Sequence, residues 1–308
     1  MTKILLIETS KLSLGSTVAH VRNSIILSKE LSSYPDIECR LTDLTEEVDT
    51  HEQYDVILFS YATARADYSK VEKLLDNQRA CRVGWITNEF ELFANQFVKE
   101  RMTFIINNFA EAAIKKAHTY TDLLTVNLNT LIMRESSPIK GKTHLTCYYG
   151  TYRKYREAYL RKYLHGDMIL SASKKNWRRF QDLELDCWVT DKFSWEEGAE
   201  SLRDFKSTLY IEDTKTHQNF NYMANRFFEG LYCNTALFFD RSCQRTIDLD
   251  CYDIPDFFVI DSLDELMEKS EALTYHQIES FTKDNAKIAL DKKQETIRDI
   301  AYFLKNIK

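Results

Sequence analysis

Glycine and proline are scarce in this chain, which has seven glycines and three prolines in 308 residues. Such a composition excludes collagen-like, linker-rich and low-complexity classes. A dinucleotide fingerprint or a P-loop needs two or three glycines within about eight residues, and no such cluster occurs. The nearest approach is Gly141-Lys142-Thr143, but Ser136 stands where the first glycine of a P-loop belongs, and a strand is predicted to follow. Hydrolysis of nucleoside triphosphates is therefore not expected.

Paired cysteines and long apolar runs are also missing. The seven cysteines form no Cys-x-x-Cys pair and lie mostly in apolar runs, which predicts reduced, buried thiols and supports neither a zinc site nor a disulfide frame. The N-terminal apolar run covers four residues, from Ile4 to Ile7, far short of a signal peptide or a membrane span. We expect no bound metal, no membrane span and a cytoplasmic location.

Short apolar runs alternate with segments of helical spacing along both halves of the chain, whose length suits about two domains at ~150 residues each. The first half has predicted strands at 3–7, 56–59, 82–86 and 123–126 and helices at 16–31 and 69–75. The second has strands at 144–149, 168–170, 187–189, 208–211, 236–239 and 257–260 and helices at 153–164 and 222–232. This pattern predicts an α/β fold of two Rossmann-like domains that face each other across a cleft.

The domain boundary is predicted near the middle of the chain. Residues 136–142 are the one place where serine, proline and glycine occur close together, which favours a linker. We predict an N-terminal Rossmann-like domain at 1–136, a C-terminal Rossmann-like domain at 137–270 and a terminal helical segment at 271–308. Because the last segment is charged and lacks glycine, we expect a long helix that packs back across both domains.

A candidate anion site lies in residues 147–157, which read CYYGTYRKYRE. A strand is predicted to end just before Gly150, which would supply a tight turn. A helix beginning near Thr151 would then direct backbone amides and its positive end at an anion. Arg153 and Arg156 could add bidentate donors for a phosphate.

The same segment has an alternative interpretation as an ordinary amphipathic helix. Tyr155, Tyr159 and Tyr163 are four residues apart and are predicted to form a stripe facing the core. The basic residues would then form the solvated opposite face. We accept the stripe for the tyrosines and favour the anion site for the turn.

A second informative segment is residues 223–240, in which a predicted helix leads into an apolar strand. Asn225 and Glu229 are four residues apart and share one helical face, and Gly230 relieves crowding on the neighbouring face. A carboxylate at this place could accept both hydroxyls of a ribose. The alternative is a surface glutamate of a helix.

The sequence Glu-Gly-Leu at 229–231, followed by a short turn and an apolar strand, resembles the sugar-nucleotide site of two-domain glycosyltransferases of the GT-B fold. The resemblance implies that Glu229 binds the donor ribose and that the turn at Gly150 faces the diphosphate. It also implies that the domain at 1–136 is the acceptor side, that the domain at 137–270 binds the nucleotide-sugar, and that the donor substrate is a UDP-sugar, with no cofactor required. The donor-binding set is Gly150, Thr151, Tyr152, Arg153, Arg156, Thr214, Lys215, Tyr222, Asn225 and Glu229.

Two segments are similar to bacteriophage glycosyltransferases that modify hydroxymethylated bases of DNA. They are residues 148–154, YYGTYRK, and residues 85–90, WITNEF. This resemblance implies a 5-hydroxymethylated pyrimidine in double-stranded phage DNA as the acceptor. One alternative keeps the enzyme class and takes a surface glycan or lipid-linked sugar, and another is a non-catalytic, two-lobed ligand-binding protein.

An inverting transfer needs a base near the acceptor hydroxyl, and loops of the first domain would supply it. Asp67 and Glu89, each after a predicted strand, are our candidate catalytic residues, with Glu8 at the end of the first strand as the alternative. Each could instead cap a helix or form a surface salt bridge. The sequence leaves inverting and retaining transfer both open.

Charge is distributed unevenly in this acidic chain of net charge −6. Residues 150–180 contain nine basic and two acidic residues, which favours an anionic partner at this place. Residues 174–179, KKNWRR, combine cations with an aromatic ring, which would suit contact with phosphates and stacking on an extruded base. The alternative is a basic helix surface whose Trp177 covers the core. The candidate acceptor-binding residues are Arg65, Lys174, Lys175, Trp177 and Arg178.

Overall fold

The structure is a computed structural model that describes residues 1–8, 10–14, 16, 19–43, 49–60, 69–87, 96–108, 122–136, 141–212 and 222–307. The chain forms two compact units. The first comprises Met1–Ile132 and Lys292–Lys308, and the second comprises Met133–Asp291. The terminal segment that the sequence sets apart at 271–308 is therefore divided between the two units.

The first unit is built on a parallel sheet of six strands. They are β1 (Thr2–Glu8), β2 (Ile37–Asp43), β3 (Val56–Phe59), β4 (Arg82–Thr87), β5 (Met102–Asn107) and β6 (Asp122–Thr125), in the order β2-β1-β3-β4-β5-β6. The helices described between them are α1 (Ala19–Leu31), α2 (Ser69–Asp76) and α3 (Gln96–Arg101), and a 3₁₀ helix covers Leu128–Ile132. Every pair of neighbouring strands is parallel.

Two of these strands were not predicted. β2 lies at the edge of the sheet and alternates buried with exposed residues, so it lacks the continuous apolar run of a central strand. β5 begins at Met102, directly after the last residue of α3, with no turn residue to mark the change from helix to strand. By contrast, Ile4 to Ile7 are fully buried in a central strand, as a continuous apolar run indicates.

The second unit contains a parallel sheet of six further strands. They are β7 (His144–Tyr149), β8 (His165–Ser171), β9 (Asp186–Thr190), β10 (Phe205–Tyr210), β11 (Ala236–Asp240) and β12 (Val259–Ile260), in the order β12-β11-β10-β7-β8-β9. The helices are α4 (Glu157–Tyr163), α5 (Lys174–Gln181), α6 (Asn225–Tyr232), α7 (Gln244–Leu249), α8 (Leu263–Ala272) and α9 (Tyr275–Asn306). Two Rossmann-like parallel sheets were predicted, and this prediction is confirmed.

The long C-terminal helix α9 belongs to the second unit up to Asp291 and to the first unit from Lys292. Its last turns bury Ile297, Ile300 and Leu304 in the core of the first unit, together with apolar residues of β1, α1 and β3. None of the helices that the structure describes is long and apolar enough to span a membrane.

Each sheet has a point at which the order of its strands reverses. In the first sheet β1 is followed along the chain by β2 on one side and then by β3 on the other, and in the second sheet the same holds for β7, with β8 on one side and β10 on the other. In parallel α/β sheets, ligands bind beyond the carboxyl ends of the strands at this switch point. The residues that follow β1, β3, β7 and β10 are therefore the first places to look for a site.

The seven cysteines are all free thiols. Cys147, Cys233 and Cys243 are buried, as predicted, and three others are half-buried. The prediction of a buried thiol is wrong for Cys251, which is exposed in the bend after α7.

Candidate active site

The turn after β7 is shaped by Gly150. Its φ of +144° is a conformation that residues with a side chain rarely adopt. A Cβ atom at this position would also lie 3.1 Å from Nη2 of Arg226. Glycine therefore both permits the turn and lets a buried guanidinium approach the backbone.

The helix after this turn begins later than predicted. A 3₁₀ turn covers Lys154–Arg156 and the α-helix α4 starts at Glu157, because Arg153 has an extended backbone with φ of −136° and ψ of 127°. The backbone N–H of Gly150 donates to the carbonyl of Ser171 at 3.3 Å. The prediction that a helix begins near Thr151 is wrong. The tyrosine stripe is also wrong in part: Tyr155 lies in the 3₁₀ turn and is exposed, whereas Tyr163 on α4 is fully buried.

Two arginines and a glutamate meet at the switch point of the second sheet, and we call them the guanidinium cluster: Arg156, Glu212 and Arg226. Glu212 follows β10 and forms ion pairs with Arg156 and, at 3.5 Å, with Arg226. Nη2 of Arg226 donates to the carbonyl of Tyr149 at 2.8 Å, and Nη1 donates to that of Ile211 at 3.3 Å. The guanidinium therefore bridges the ends of β7 and β10.

Both guanidinium groups remain charged in this buried place. The guanidinium carbon of Arg226 lies 4.8 Å from the ring centroid of Tyr148 and 5.2 Å from that of Tyr149, so the aromatic faces help to hold the cation. Burial alone would lower the pKa of Arg156, but the Glu212 carboxylate and the Tyr148 phenol outweigh it and raise that pKa. The cluster carries two positive charges against one negative charge.

Three buried polar atoms at this place lack a hydrogen-bond partner in the part of the chain that the structure describes. They are Nε of Arg156, Nε of Arg226 and Oδ1 of Asn225. Buried polar groups are almost always paired, so these atoms mark a place where a water molecule or a ligand would complete the pairing. Ala224, the residue that precedes α6, makes no side-chain cap, and its backbone N–H donates to the hydroxyl of Tyr210 at 2.8 Å.

Glu229 lies on α6 and is 5% exposed. Its Oε2 accepts a hydrogen bond of 2.7 Å from the hydroxyl of Tyr149. Burial, and then the Glu229 carboxylate, raise the pKa of Tyr149 well above its ordinary value, so the phenol keeps its proton and donates. This excludes the alternative of a surface glutamate for Glu229.

Gly230 serves packing rather than ligand binding. A Cβ atom there would lie 2.6 Å from Cδ1 of Leu237 and 2.9 Å from the carbonyl oxygen of Thr235. The missing side chain lets α6 lie closely against the turn and strand that follow it. Glycine at this place therefore positions Glu229 indirectly.

The other predicted donor residues are distributed more widely. Thr151 and Arg153 are exposed in the turn after Gly150, and Tyr222 is half-buried just before α6. Tyr152 lies against α5, where its ring packs edge-on against Phe180 with centroids 5.6 Å apart. Thr214 and Lys215 lie outside the described residues.

The predicted acceptor residues of the second unit lie on α5. Lys174, Lys175 and Arg178 are exposed, and we call these three side chains the basic helix face. Trp177 is half-buried and donates its indole N–H to the carbonyl of Ala172 at 3.0 Å, as expected for a tryptophan that covers the core. An aromatic side chain that the sequence analysis missed, Trp188 on the edge strand β9, is 69% exposed.

The first-unit predictions fall largely outside the described residues. Arg65, Asp67 and Glu89 lie outside the described residues. Glu8 is described, and it is fully buried at the end of β1. Across the described part of the chain, no group of three or more His, Cys, Asp or Glu side chains is arranged to hold a metal ion.

Lys142, in the segment that resembles a P-loop end, has a structural role. Its Nζ donates to the carbonyls of Arg203 at 2.8 Å and of Cys233 at 3.3 Å. Burial lowers the pKa of Lys142 to about 8. The lysine therefore ties together three chain segments and is not directed at a phosphate.

Sequence reasoning missed Arg226 and Glu212 for different reasons. Glu212 carries the same signal as Glu8, a carboxylate directly after an apolar strand, but we assigned it no role. Arg226 lies between the two residues that share a helical face, and its function depends on bridging two strand ends that are distant in sequence. The first could have been found from its position, and the second required the sheet order.

No protein-family model matches the chain, and no curated protein matches it. Solved structures do match. T4 phage β-glucosyltransferase in complex with UDP-glucose is 14% identical with a TM-score of 0.73, over 100% of both chains. The same enzyme with UDP and Mn²⁺ has a TM-score of 0.71 at 14% identity, over 99% of both chains.

A further match is an α-glucosyltransferase in complex with UDP-glucose and DNA containing an abasic site. It is 9% identical with a TM-score of 0.57, covering 96% of this chain and 95% of the other. Similarity at such low identity establishes the fold, and the order of strands in both sheets agrees with it. The chain has the GT-B glycosyltransferase fold that its sequence predicts.

Proposed function

We propose that this protein is a glycosyltransferase that moves a sugar from a UDP-sugar to the hydroxyl of a 5-hydroxymethylated pyrimidine in phage DNA. The observation that carries the proposal is the guanidinium cluster at the switch point of the second sheet, with its excess positive charge and its unpaired donors. A diphosphate supplies the negative charge and the acceptor oxygens that this cluster lacks. The similarity to enzymes bound to UDP-glucose supports uridine as the nucleoside.

The donor would be bound by groups with complementary chemistry. Arg156 and Arg226 would neutralise the diphosphate, and the turn that Gly150 permits would lie against it. Glu229 would accept hydrogen bonds from the ribose hydroxyls, with Tyr149 fixing the orientation of its carboxylate. Thr151, Tyr152, Arg153, Tyr222 and Asn225, with Thr214 and Lys215, complete the proposed donor set.

The guanidinium groups also suit the chemical step. When the bond between the sugar and the diphosphate breaks, negative charge develops on the leaving oxygen. Cations that are already in place stabilise this charge without reorganising. We therefore propose that transfer needs no metal cofactor, and that activity persists when divalent cations are chelated with EDTA.

The proposed DNA acceptor is supported by charge. The basic helix face adds three exposed cations to a segment in which basic residues outnumber acidic residues by nine to two. Trp177 has its indole N–H bonded within the unit, so its role in this proposal is to support the helix. For contact with the DNA we add the exposed Trp188 to the sequence-based set of Arg65, Lys174, Lys175 and Arg178.

The experiment has two stages. Calorimetry with UDP, ADP, GDP and TDP tests the nucleoside, and the proposal expects tightest binding of UDP. Transfer of labelled glucose from UDP-glucose is then measured on duplexes containing 5-hydroxymethylcytosine or unmodified cytosine, with anionic liposomes carrying a lipid-linked sugar as the other acceptor. Label in the modified duplex alone supports the proposal, and label in the lipid or no binding of any nucleotide contradicts it.

A further inference from the structure

Glu212 places a negative charge inside the proposed diphosphate site. It follows β10 in the second unit, is 5% exposed and forms ion pairs with both Arg156 and Arg226. A carboxylate at this place repels a phosphate and occupies N–H groups of the two arginines that would bind it. The carboxylate therefore lowers the affinity of the site for a phosphate, and neutralising it would raise that affinity.

The two arginines are also held by contacts other than Glu212. Nη1 of Arg156 donates to the hydroxyl oxygen of Tyr148 at 3.4 Å, and Arg226 donates to the carbonyls at the ends of two strands. Their charges repel each other, because burial and the charge of Arg156 lower the pKa of Arg226, whereas Tyr148 and Glu212 raise it. Since other groups fix the positions of the two cations, the main effect of Glu212 is on the charge of the cluster.

The donor and the product of the proposed reaction differ by one charge. A UDP-sugar carries one negative charge on each phosphate, whereas the terminal phosphate of UDP loses a second proton at a pKa of about 6 and carries two charges at pH 8. A guanidinium that binds a carboxylate at one edge and a phosphate at another holds their charges about 7 Å apart. At that distance one unit charge changes an affinity by about 3- to 50-fold, for effective dielectric constants of about 80 to 20.

We propose that Glu212 determines the relative affinity of the donor site for the nucleotide-sugar and for UDP, and that its negative charge favours release of the UDP product, an inference that rests on the proposed function. In the empty site the carboxylate balances one of the two cations. After transfer, the additional charge on the terminal phosphate lies near the same carboxylate, which weakens retention of UDP. Arg156, Glu212 and Arg226 all belong to the second unit, so the binding of the two nucleotides tests the inference directly.

Three variants separate the charge of Glu212 from its contacts. Glu212→Gln removes the charge and keeps the shape, whereas Glu212→Asp keeps the charge and shortens the side chain. Glu200→Gln is the matched control, because the Glu200 side chain is fully buried in the same unit and also pairs with two arginines, Arg134 and Arg203. The control therefore reports what loss of a buried carboxylate does to the fold alone.

Calorimetry at pH 8 with UDP and with UDP-glucose measures the affinity ratio, which is the Kd for UDP-glucose divided by the Kd for UDP. We expect this ratio to rise by at least about threefold in Glu212→Gln, because UDP gains more from the lost repulsion than UDP-glucose does. In Glu212→Asp and Glu200→Gln the ratio should stay within twofold of the wild type. A change in the positions of the arginines would alter both affinities alike, so a purely structural role leaves the ratio unchanged.

Two results would overturn the inference. One is an affinity ratio in Glu212→Gln that rises by less than threefold or falls. The other is a rise in Glu212→Asp as large as that in Glu212→Gln, since the contacts of the side chain and not its charge would then be responsible. A wild type that binds neither nucleotide would instead contradict the proposed function, so the two failures are distinguishable. If Glu212→Gln does not fold, Glu212→Met removes the same charge with an apolar side chain of similar volume and decides the question by the same ratio.

Discussion

Glu229→Gln tests the donor site with little change in shape. The amide oxygen can still accept the 2.7 Å hydrogen bond from Tyr149, so the buried phenol keeps its partner. What changes is the acceptor offered to the ribose, from a charged carboxylate to a neutral amide. A hydrogen bond to a charged group contributes about 1.5–3 kcal/mol and one to a neutral group about 0.5–1.5 kcal/mol. The expected loss is about 1–2 kcal/mol, or about 5- to 30-fold in Kd for UDP.

Calorimetry with UDP and 2′-deoxy-UDP makes this test specific. If Glu229 bonds the ribose hydroxyls, the wild type prefers UDP, and the preference shrinks towards one in Glu229→Gln. Glu268→Gln is the matched control, since Glu268 is an exposed glutamate on α8. Equal weakening of both nucleotides would mean that the substitution acts through the fold, and unchanged UDP binding would remove Glu229 from the site.

Three further predictions concern the turn, the basic helix face and the buried lysine. Gly150→Ala should destabilise the protein by about 1–3 kcal/mol in urea unfolding and weaken UDP binding, because a Cβ atom at φ of +144° is strained and crowds Arg226; normal stability would refute the strain. Neutralising the three cations of the basic helix face should make the slope of log K for DNA binding against log salt concentration shallower by about 2–3, because each phosphate contact contributes about 0.9. The control is Lys283→Gln/Lys287→Gln, and an unchanged slope would mean that the DNA does not contact the basic helix face. Burial lowers the pKa of Lys142 from 10.5 to about 8. Between pH 8 and pH 10.5 this lysine therefore binds fewer protons in the folded protein than in the unfolded protein. Stability relative to Lys142→Met should therefore rise by about 3 kcal/mol from pH 8 to pH 10.5, whereas a pH-independent difference would contradict the shift.

The fold could be predicted largely from apolar runs because central strands of a parallel sheet are buried on both faces. Ile4 to Ile7 and Val56 to Phe59 illustrate this, since all but Val56 are fully buried and it is 1% exposed. The edge strand β2 was not predicted because its outer face is solvated. β5 was not predicted because no turn residue separates it from α3. Local composition thus indicates the interior of a sheet better than its edges.

The candidate site was predictable only where one position carries its own chemical signal. Gly150 was found because glycine is scarce in this chain and the turn after β7 needs a positive φ. Arg226 was not found, because the sequence around it does not distinguish it from any other arginine on a helix. Its role depends on the order of the strands, which brings the ends of β7 and β10 to either side of it.

A second group of two arginines and a glutamate shows what distinguishes a binding cluster from a structural one. Glu200 is fully buried and pairs with both Arg134 and Arg203, which is the same composition as the guanidinium cluster. The side chain of Arg134 is 32% exposed, however, and none of the three residues has a buried polar atom without a partner in the described part of the chain. Burying charge costs stability unless every group is paired, so a fully paired group is explained by the fold alone. At the switch point of the second sheet the Nε atoms of both arginines are unpaired in the described part of the chain, and the diphosphate of the proposed function would balance the excess positive charge of the cluster.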